Sequence, residues 1–229
     1  MSDRDLTGWT LAFDLDGTLV DTAPDLIGTL NRLLVLHDLP QVPASSARHL
    51  VGHGALALLR HGFEEAGASW QEAHSDALFQ QFIADYLAHI ADDSRPYPGV
   101  VEALDRLAAR GATLCIATNK RTDLSLALTD ALGLTDRFGS ICGPDAVTAH
   151  KPDGAHIREA VLKAGGDPAR AIMIGDSATD VNAARNTGVP CIVVSYGYTE
   201  IPPADLGGHA LIDSFDHLED TLAGLMAQV

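Results

Sequence analysis

The 229-residue chain predicts an α/β protein: a doubly wound parallel sheet with an α-helical subdomain inserted near its start. Three observations predict this. Strand-length apolar runs alternate with amphipathic helical periods from residue 96 onward. The stretch 21–95 is helical in period throughout and holds no convincing strand. The strand candidates end in polar or glycine residues, and right-handed crossovers bring the carboxyl ends of parallel strands to one rim, where such sheets bind ligands. The predicted division is therefore 1–20 with 96–229 as one unit and 21–95 as the other.

Taken in order, residues 11–13 read as a buried strand running into Asp14-Leu15-Asp16-Gly17-Thr18. Thr22 with Asp25 three positions on resembles a capping box, and Pro24 suits a first helical turn. A helix over 23–37 follows, with Leu26, Ile27, Leu30, Leu33 and Leu34 on one face, ended by Leu39-Pro40. Helical patterning continues over 44–91. Within it, Gly52-His53-Gly54-Ala55-Leu56-Ala57 fits a loose dinucleotide fingerprint but lacks the preceding strand, so it predicts a glycine loop and no nucleotide site. The turn-rich 92–99 segment returns the chain to the sheet. Helices are then predicted over 100–110, 123–132, from 154 to 164, 178–187 and 216–226. Strands are predicted over 113–117, 140–142, 171–174, 191–194 and, more weakly, 210–212.

Composition narrows the function. At 46% hydrophobic and 20% charged, the chain has ample material for a core. A net charge of −16 argues against nucleic acid or an anionic membrane surface as partner. It leaves room for a small anionic substrate, because screening over about 8 Å lets a local cation or metal dominate a pocket. No run of eighteen apolar residues exists, and the polar Met1–Asp5 start lacks a signal-peptide pattern, so a cytoplasmic location is expected. Cys115, Cys142 and Cys191 are far apart and form no Cys-x-x-Cys pair; they are expected as small buried strand residues.

Four segments converge on the predicted rim: Asp14 and Asp16; Thr118 and Asn119; Lys151; and Gly175-Asp176-Ser177-Ala178-Thr179-Asp180. Carboxylates with a lysine are what phosphoryl transfer assisted by Mg²⁺ requires. The metal takes oxygen ligands and shields the substrate's charge, while a hydroxyl, an amide and an ammonium hold the remaining phosphoryl oxygens. Lys120 reads as a solvated side chain, Asp21 as a turn or cap residue, and the histidines as surface or packing residues. There is no Gly-x-x-x-x-Gly-Lys loop for a nucleotide.

In this order, Asp-x-Asp-Gly-Thr, Thr-Asn, Lys-Pro and Gly-Asp-Ser-x-x-Asp resemble the motifs of the haloacid dehalogenase superfamily over essentially the whole chain, with 21–95 matching the helical cap of one subgroup. The resemblance implies a Rossmann-like core and a set of roles. Asp14 would be the nucleophile that forms an aspartyl-phosphate, ionised at neutral pH without assistance. Asp16 would be the general acid and base, a role that asks for a raised pKa. Asp14, the Asp16 backbone carbonyl and Asp176 would ligate Mg²⁺. Asp180 would support the metal through water or hold Lys151, and Thr118, Asn119 and Lys151 would grip the phosphoryl group. Asp16 favours phosphate chemistry, since the dehalogenases proper lack an acid there. The absence of lysine from 21–95 excludes the Schiff-base chemistry of phosphonoacetaldehyde hydrolases.

Further stretches are similar to the phosphoglycolate phosphatase family: Leu19 to Leu26, Tyr97-Pro98-Gly99-Val100, Ala117 to Lys120 and Val194 to Tyr198. That similarity implies hydrolysis of 2-phosphoglycolate. A monomer or homodimer is expected. Phosphatases of sugar or amino-sugar phosphates or of pyrophosphate, and β-phosphoglucomutase-like mutases, share the same core and remain open. A binding protein on this fold would usually lack the nucleophile or the acid, and both are present. A two-carbon carboxylate substrate asks for a cation from the insert, where Arg32, Arg48, Arg60 and Arg95 are the candidates.

Overall fold

The structure is a computed structural model describing residues 5–227, the side chain of His53 excepted; residues 1–4 of the polar N-terminal stretch lie outside the described residues. In chain order the elements are β1 (Thr10–Phe13), β2 (Val20–Asp21), α1 (Ala23–Leu36), α2 (Ala44–Ala47), α3 (Ala55–Glu65), α4 (Ser75–Ala88), β3 (Arg95–Pro96), α5 (Val100–Ala109), β4 (Thr113–Ala117), α6 (Thr122–Ala131), β5 (Ser140–Cys142), α7 (Gly154–Lys163), β6 (Ala171–Gly175), α8 (Ala178–Thr187), β7 (Cys191–Val194), β8 (Ala210–Ile212) and α9 (Leu218–Met226). Six strands form one all-parallel sheet in the order β5-β4-β1-β6-β7-β8. The chain winds outward from β1 through β4 and β5, then crosses to β6 and winds out the other way, which is the doubly wound topology predicted. The final helix differs slightly: a 3₁₀ turn, Phe215–His217, precedes α9.

Both faces of the sheet are buried, and period-2 alternation divides the apolar strands between them. Leu11, Phe13, Leu114, Ile116, Ile172, Ile174, Ile192 and Val194 pack on one face with Leu104 and Leu107 of α5 and Leu222 of α9. The smaller Ala12, Cys115, Ala117, Met173, Cys191 and Val193 face α7 and α8. All three cysteines are buried and free, two of them under these helices on central strands and Cys142 at the end of β5. Small side chains on this face let helix and sheet approach closely. His156 on α7 is a packing residue: its ring nitrogens lie 3.0 Å from the Ala149 carbonyl and 3.2 Å from that of Cys142.

Helices α1, α3 and α4 pack through a separate apolar cluster that includes Leu30, Leu34, Leu58, Leu59, Phe82 and Tyr86. Where the sequence shows only a turn-rich return, Val20–Asp21 and Arg95–Pro96 pair as a miniature antiparallel ribbon, so the two crossings between sheet and helices lie side by side. This juxtaposition also corrects the capping box. Thr22 makes no side-chain cap hydrogen bond. Asp25 instead accepts from the backbone N–H of Asp93 (3.0 Å) and Ser94 (2.7 Å), stitching α1 to the returning chain. The buried N–H groups at the start of α1, which have no partner within the helix, find another acceptor: Thr22 and Ala23 N–H donate to the Tyr198 hydroxyl at 2.7 and 3.0 Å.

Candidate active site

The register of β1 with its neighbours aligns Phe13 with both Ile116 and Ile174. Asp14, Thr118 and Asp176 therefore leave adjacent strands at nearly one level, and the loop after β5 brings Lys151 beside them. The sequence-predicted residues of all four segments meet on this rim.

Lys151 is buried, with Nζ 2.7 Å from Asp180 Oδ1 and 2.9 Å from Asp14 Oδ1. The Lys151 ammonium meets the buried Asp14 Oδ1 as an ion pair. Burial opposes the Lys151 charge, but Asp14 and Asp180 together hold its pKa above the ordinary lysine value. Asp180 is fully enclosed. Its Oδ1 takes Lys151, and its Oδ2 accepts from the Ser177 hydroxyl (2.7 Å) and from Ser177 and Asp176 N–H (3.1 and 3.2 Å). Of the two tasks the resemblance implies for Asp180, the geometry shows the lysine-holding one. Asn119 is likewise committed: its amide donates to the Lys151 carbonyl and accepts Lys151 N–H, both at 2.9 Å. The sequence expects this amide to grip phosphate; in the structure it lines the cavity and also fixes the backbone that carries Lys151. Thr118, also buried, accepts Lys120 N–H at 3.2 Å.

Asp176 is buried, and its Oδ2 accepts Tyr198 N–H at 2.7 Å. Two glycines permit this closeness. Gly17 has a positive φ of 81°, and a Cβ there would come 2.6 Å from Asp176 Oδ2; a Cβ on Gly197 would overlap the same carboxylate. Burial pushes the Asp14 carboxyl up to about 6, against the pull of Lys151 and with Asp180 adding to the rise, so it is less freely ionised than the sequence implies. Burial, with Asp180 and Asp14, raises Asp176 well above the ordinary carboxylate range. One oxygen from each of Asp14, Asp176 and Asp180 falls within 4.8 Å of the others. A desolvated cluster of hard oxygen donors fits a small divalent cation such as Mg²⁺.

Lys120 overturns its sequence reading. Its side chain is only 5% exposed, with Nζ 3.2 and 3.3 Å from the two carboxylate oxygens of Asp16 and 2.9 Å from the Tyr86 hydroxyl. Helix α4 of the insert lies over this part of the rim, and nothing in the local sequence around residue 120 reveals that cover. Asp21 is also more than a turn residue: it accepts from the Tyr198 hydroxyl at 2.6 Å and pairs with Arg48 at 3.0 Å.

Above the carboxylates lies a cavity of about 310 Å³. Its floor includes Asp14, Asp16, Thr118, Asn119, Lys120 and Arg121; its far wall, from the insert, includes Val51, Leu56, Phe79, Phe82 and Ile83. None of the four candidate arginines lines it. Arg32 pairs with Asp85 (2.7 Å), Arg48 with Asp21 and Arg60 with Glu72 (3.3 Å), while Arg95 donates to the Ser94 carbonyl (2.7 Å). Gly52 and Gly54 also line the cavity, but Gly52 lies within a 3₁₀ helix, Arg48–His53, where the sequence suggests a glycine loop.

Residues 11–194 match the haloacid dehalogenase-like hydrolase family. A phosphoglycolate phosphatase of Caulobacter vibrioides is 54% identical, with 93% of this chain and 90% of that protein covered. An N-acetylmuramic acid 6-phosphate phosphatase of Pseudomonas aeruginosa is 35% identical, covering 92% of each chain. The crystal structure of a predicted phosphoglycolate phosphatase from Haemophilus somnus superposes with a TM-score of 0.86 at 29% identity, covering 97% of this chain and 99% of that one. The chain belongs to the haloacid dehalogenase-like hydrolase family. Within that family it is an enzyme, a phosphoric monoester hydrolase.

Proposed function

We propose that this enzyme hydrolyses 2-phosphoglycolate to glycolate and phosphate through an aspartyl-phosphate on Asp14, with Mg²⁺ as cofactor and 21–95 acting as its cap. The observation that carries the reading is the placement of Asp14 against Lys151 at 2.9 Å, with Asp16 on the same cavity floor. Asp14 attacks phosphorus, and the bond from phosphorus to the leaving oxygen breaks as Asp16 supplies that oxygen's proton. Asp16, now a carboxylate, takes a proton from water; the water oxygen attacks phosphorus, and phosphate leaves as the Asp14 carboxylate is restored. Lys151 neutralises charge on the transferring group, and Thr118 lines the same space. Asp14, the Asp16 carbonyl and Asp176 would hold Mg²⁺, which supplies the charge shielding that lets a carboxylate approach a phosphate. The relatives named as phosphoglycolate phosphatases support the substrate.

A second reading, a bulkier phosphomonoester such as an amino-sugar phosphate, is favoured by one observation: the wall opposite the carboxylates is apolar and carries none of the insert's arginines. The test is phosphate release with Mg²⁺ across 2-phosphoglycolate, hexose and amino-sugar phosphates, pyrophosphate and β-glucose 1-phosphate. The expected result is a kcat/KM for 2-phosphoglycolate at least about tenfold above the others, or about 1.4 kcal/mol of discrimination. Asp14→Asn should retain the fold and lose at least about 10³-fold in kcat, and a chelator should stop turnover. Preference for an amino-sugar phosphate would install the second reading; full activity in Asp14→Asn or without divalent metal would overturn the mechanism.

A further inference from the structure

We propose that Lys120 is a positioning residue for Asp16, and that Tyr86 from the helical insert completes the clamp, so that the acid-base carboxylate is aimed only when α4 lies against the rim. The inference rests on the acid-base role proposed above for Asp16.

Lys120 Nζ sits almost equidistant from both Asp16 oxygens, at 3.2 and 3.3 Å, and such a contact restrains rotation of the carboxylate as well as its position. The third direction of the ammonium is taken by the Tyr86 hydroxyl at 2.9 Å, and Nζ also lies 4.5 Å from the centre of the Tyr86 ring. Tyr86 is completely buried, stacked on Phe82 of the same helix at 6.2 Å between ring centres, so it cannot swing to follow the lysine. Lys120 is therefore fixed at both ends: its backbone N–H to Thr118 on the rim, its ammonium to a rigid tyrosine of the insert. Once Asp16 has given its proton to the leaving oxygen, both of its oxygens can accept from this cation, which is the arrangement the structure shows. Lys120 and the Tyr86 ring both border the cavity, so the clamp forms part of the wall around the reacting group. Separation of α4 from the rim would remove Tyr86 and leave Lys120 and Asp16 with a wider choice of rotamers. Proton transfer would then be linked to closure.

The leaving group provides the test. Lys120→Met, Lys120→Arg and Tyr86→Phe are compared with wild type on three esters in Mg²⁺: 2-phosphoglycolate, its carboxylate-free analogue 2-hydroxyethyl phosphate, and p-nitrophenyl phosphate, whose leaving group departs without a proton. In Lys120→Met, kcat/KM should fall about 10²-fold on both alkyl esters and stay within about threefold of wild type on p-nitrophenyl phosphate. Lys120→Arg should recover part of the loss, and Tyr86→Phe should show the same selective loss at about one tenth of its size. Thermal unfolding of each variant checks the fold. An equal loss on all three esters in a folded variant, or no loss on any, overturns the inference. So does a loss confined to 2-phosphoglycolate, which would make Lys120 a ligand of the substrate carboxylate. Wild-type protein that releases phosphate from none of the esters would overturn the proposed function itself.

Discussion

The floor and the far wall of the cavity are built on opposite principles. The floor is charged and over-determined: Lys151 is held between Asp14 and Asp180, and Asn119 holds its backbone from below. The wall contributed by the insert is apolar, and its charged residues point elsewhere into pairs of their own. Charges fixed in a dry site stabilise a transition state because they need no reorganisation during the reaction, whereas an apolar wall discriminates by shape and weakly, at about 1–3 kcal/mol per methylene. The difference teaches where each property resides. On the proposed function, the reaction belongs to the sheet rim and the choice of substrate to the insert.

The largest effect that can break this comparison comes from Lys151→Met. Removing one member of a buried ion pair strands the remaining charge and costs about 3–5 kcal/mol. Here two carboxylates, Asp14 and Asp180, lose their common cation. Denaturant unfolding should show that loss, and kcat should fall at least about 10³-fold on every ester alike. A variant of unchanged stability would mean that the floor is not over-determined, and a loss confined to one substrate would place selection on the rim.

The same contrast decides what the sequence revealed. Asp14, Thr118 and Asp176 were legible because each sits directly after an apolar strand, with Asp16 two residues beyond Asp14, and parallel topology carries all of them to one rim. Lys151 was legible from its own loop and the pattern around it. What depends on packing across the chain was not. Lys120 looks like any helix-preceding lysine until α4, 34 residues away, is folded over it. Asp25 looks like a capping residue until the returning chain, 68 residues on, supplies better donors. Tyr198 carries no local sign that its hydroxyl caps a helix 175 residues earlier. The arginines of the insert were visible as cations, but their partners were not. Side-chain direction on short, amphipathic helices follows from which face is buried, and α3 and α4 divide their faces between a shared core and the cavity wall.

Tyr198 is where the two regions meet, and it offers the next test. Its backbone N–H holds Asp176, while its hydroxyl takes two N–H groups at the head of α1 and donates to Asp21. Tyr198→Phe keeps the ring and the backbone contact but leaves two buried donors and a carboxylate oxygen without their partner, a loss of about 2 kcal/mol. Urea unfolding should register it as a lower midpoint in a single transition if insert and sheet unfold together. Two separated transitions would show that this hydroxyl is what couples them, which sharpens the comparison. An unchanged midpoint would break it by showing that the junction is held elsewhere, with Asp25 and its contacts to Asp93 and Ser94 the alternative.

The smallest effect is the most specific to the division of labour. Leu56 near the start of α3 lines the cavity and is 47% exposed, so the fold tolerates a polar residue there. Leu56→Lys places a cation on a wall that has none among the insert's arginines. An ammonium on this side should favour esters with a negatively charged tail over neutral ones of the same size. Steady-state kinetics on 2-phosphoglycolate and 2-hydroxyethyl phosphate should show the kcat/KM ratio moving about tenfold toward the carboxylate, equivalent to about 1.4 kcal/mol. Turnover of p-nitrophenyl phosphate should stay within about threefold of wild type, because the floor is untouched. If all three esters slow together, the wall takes part in the chemistry and the separation between rim and insert fails. If the ratio stays fixed while KM rises for both, the tail of the substrate does not reach α3, and selection must be assigned to the part of the wall formed by Phe79, Phe82 and Ile83 on α4.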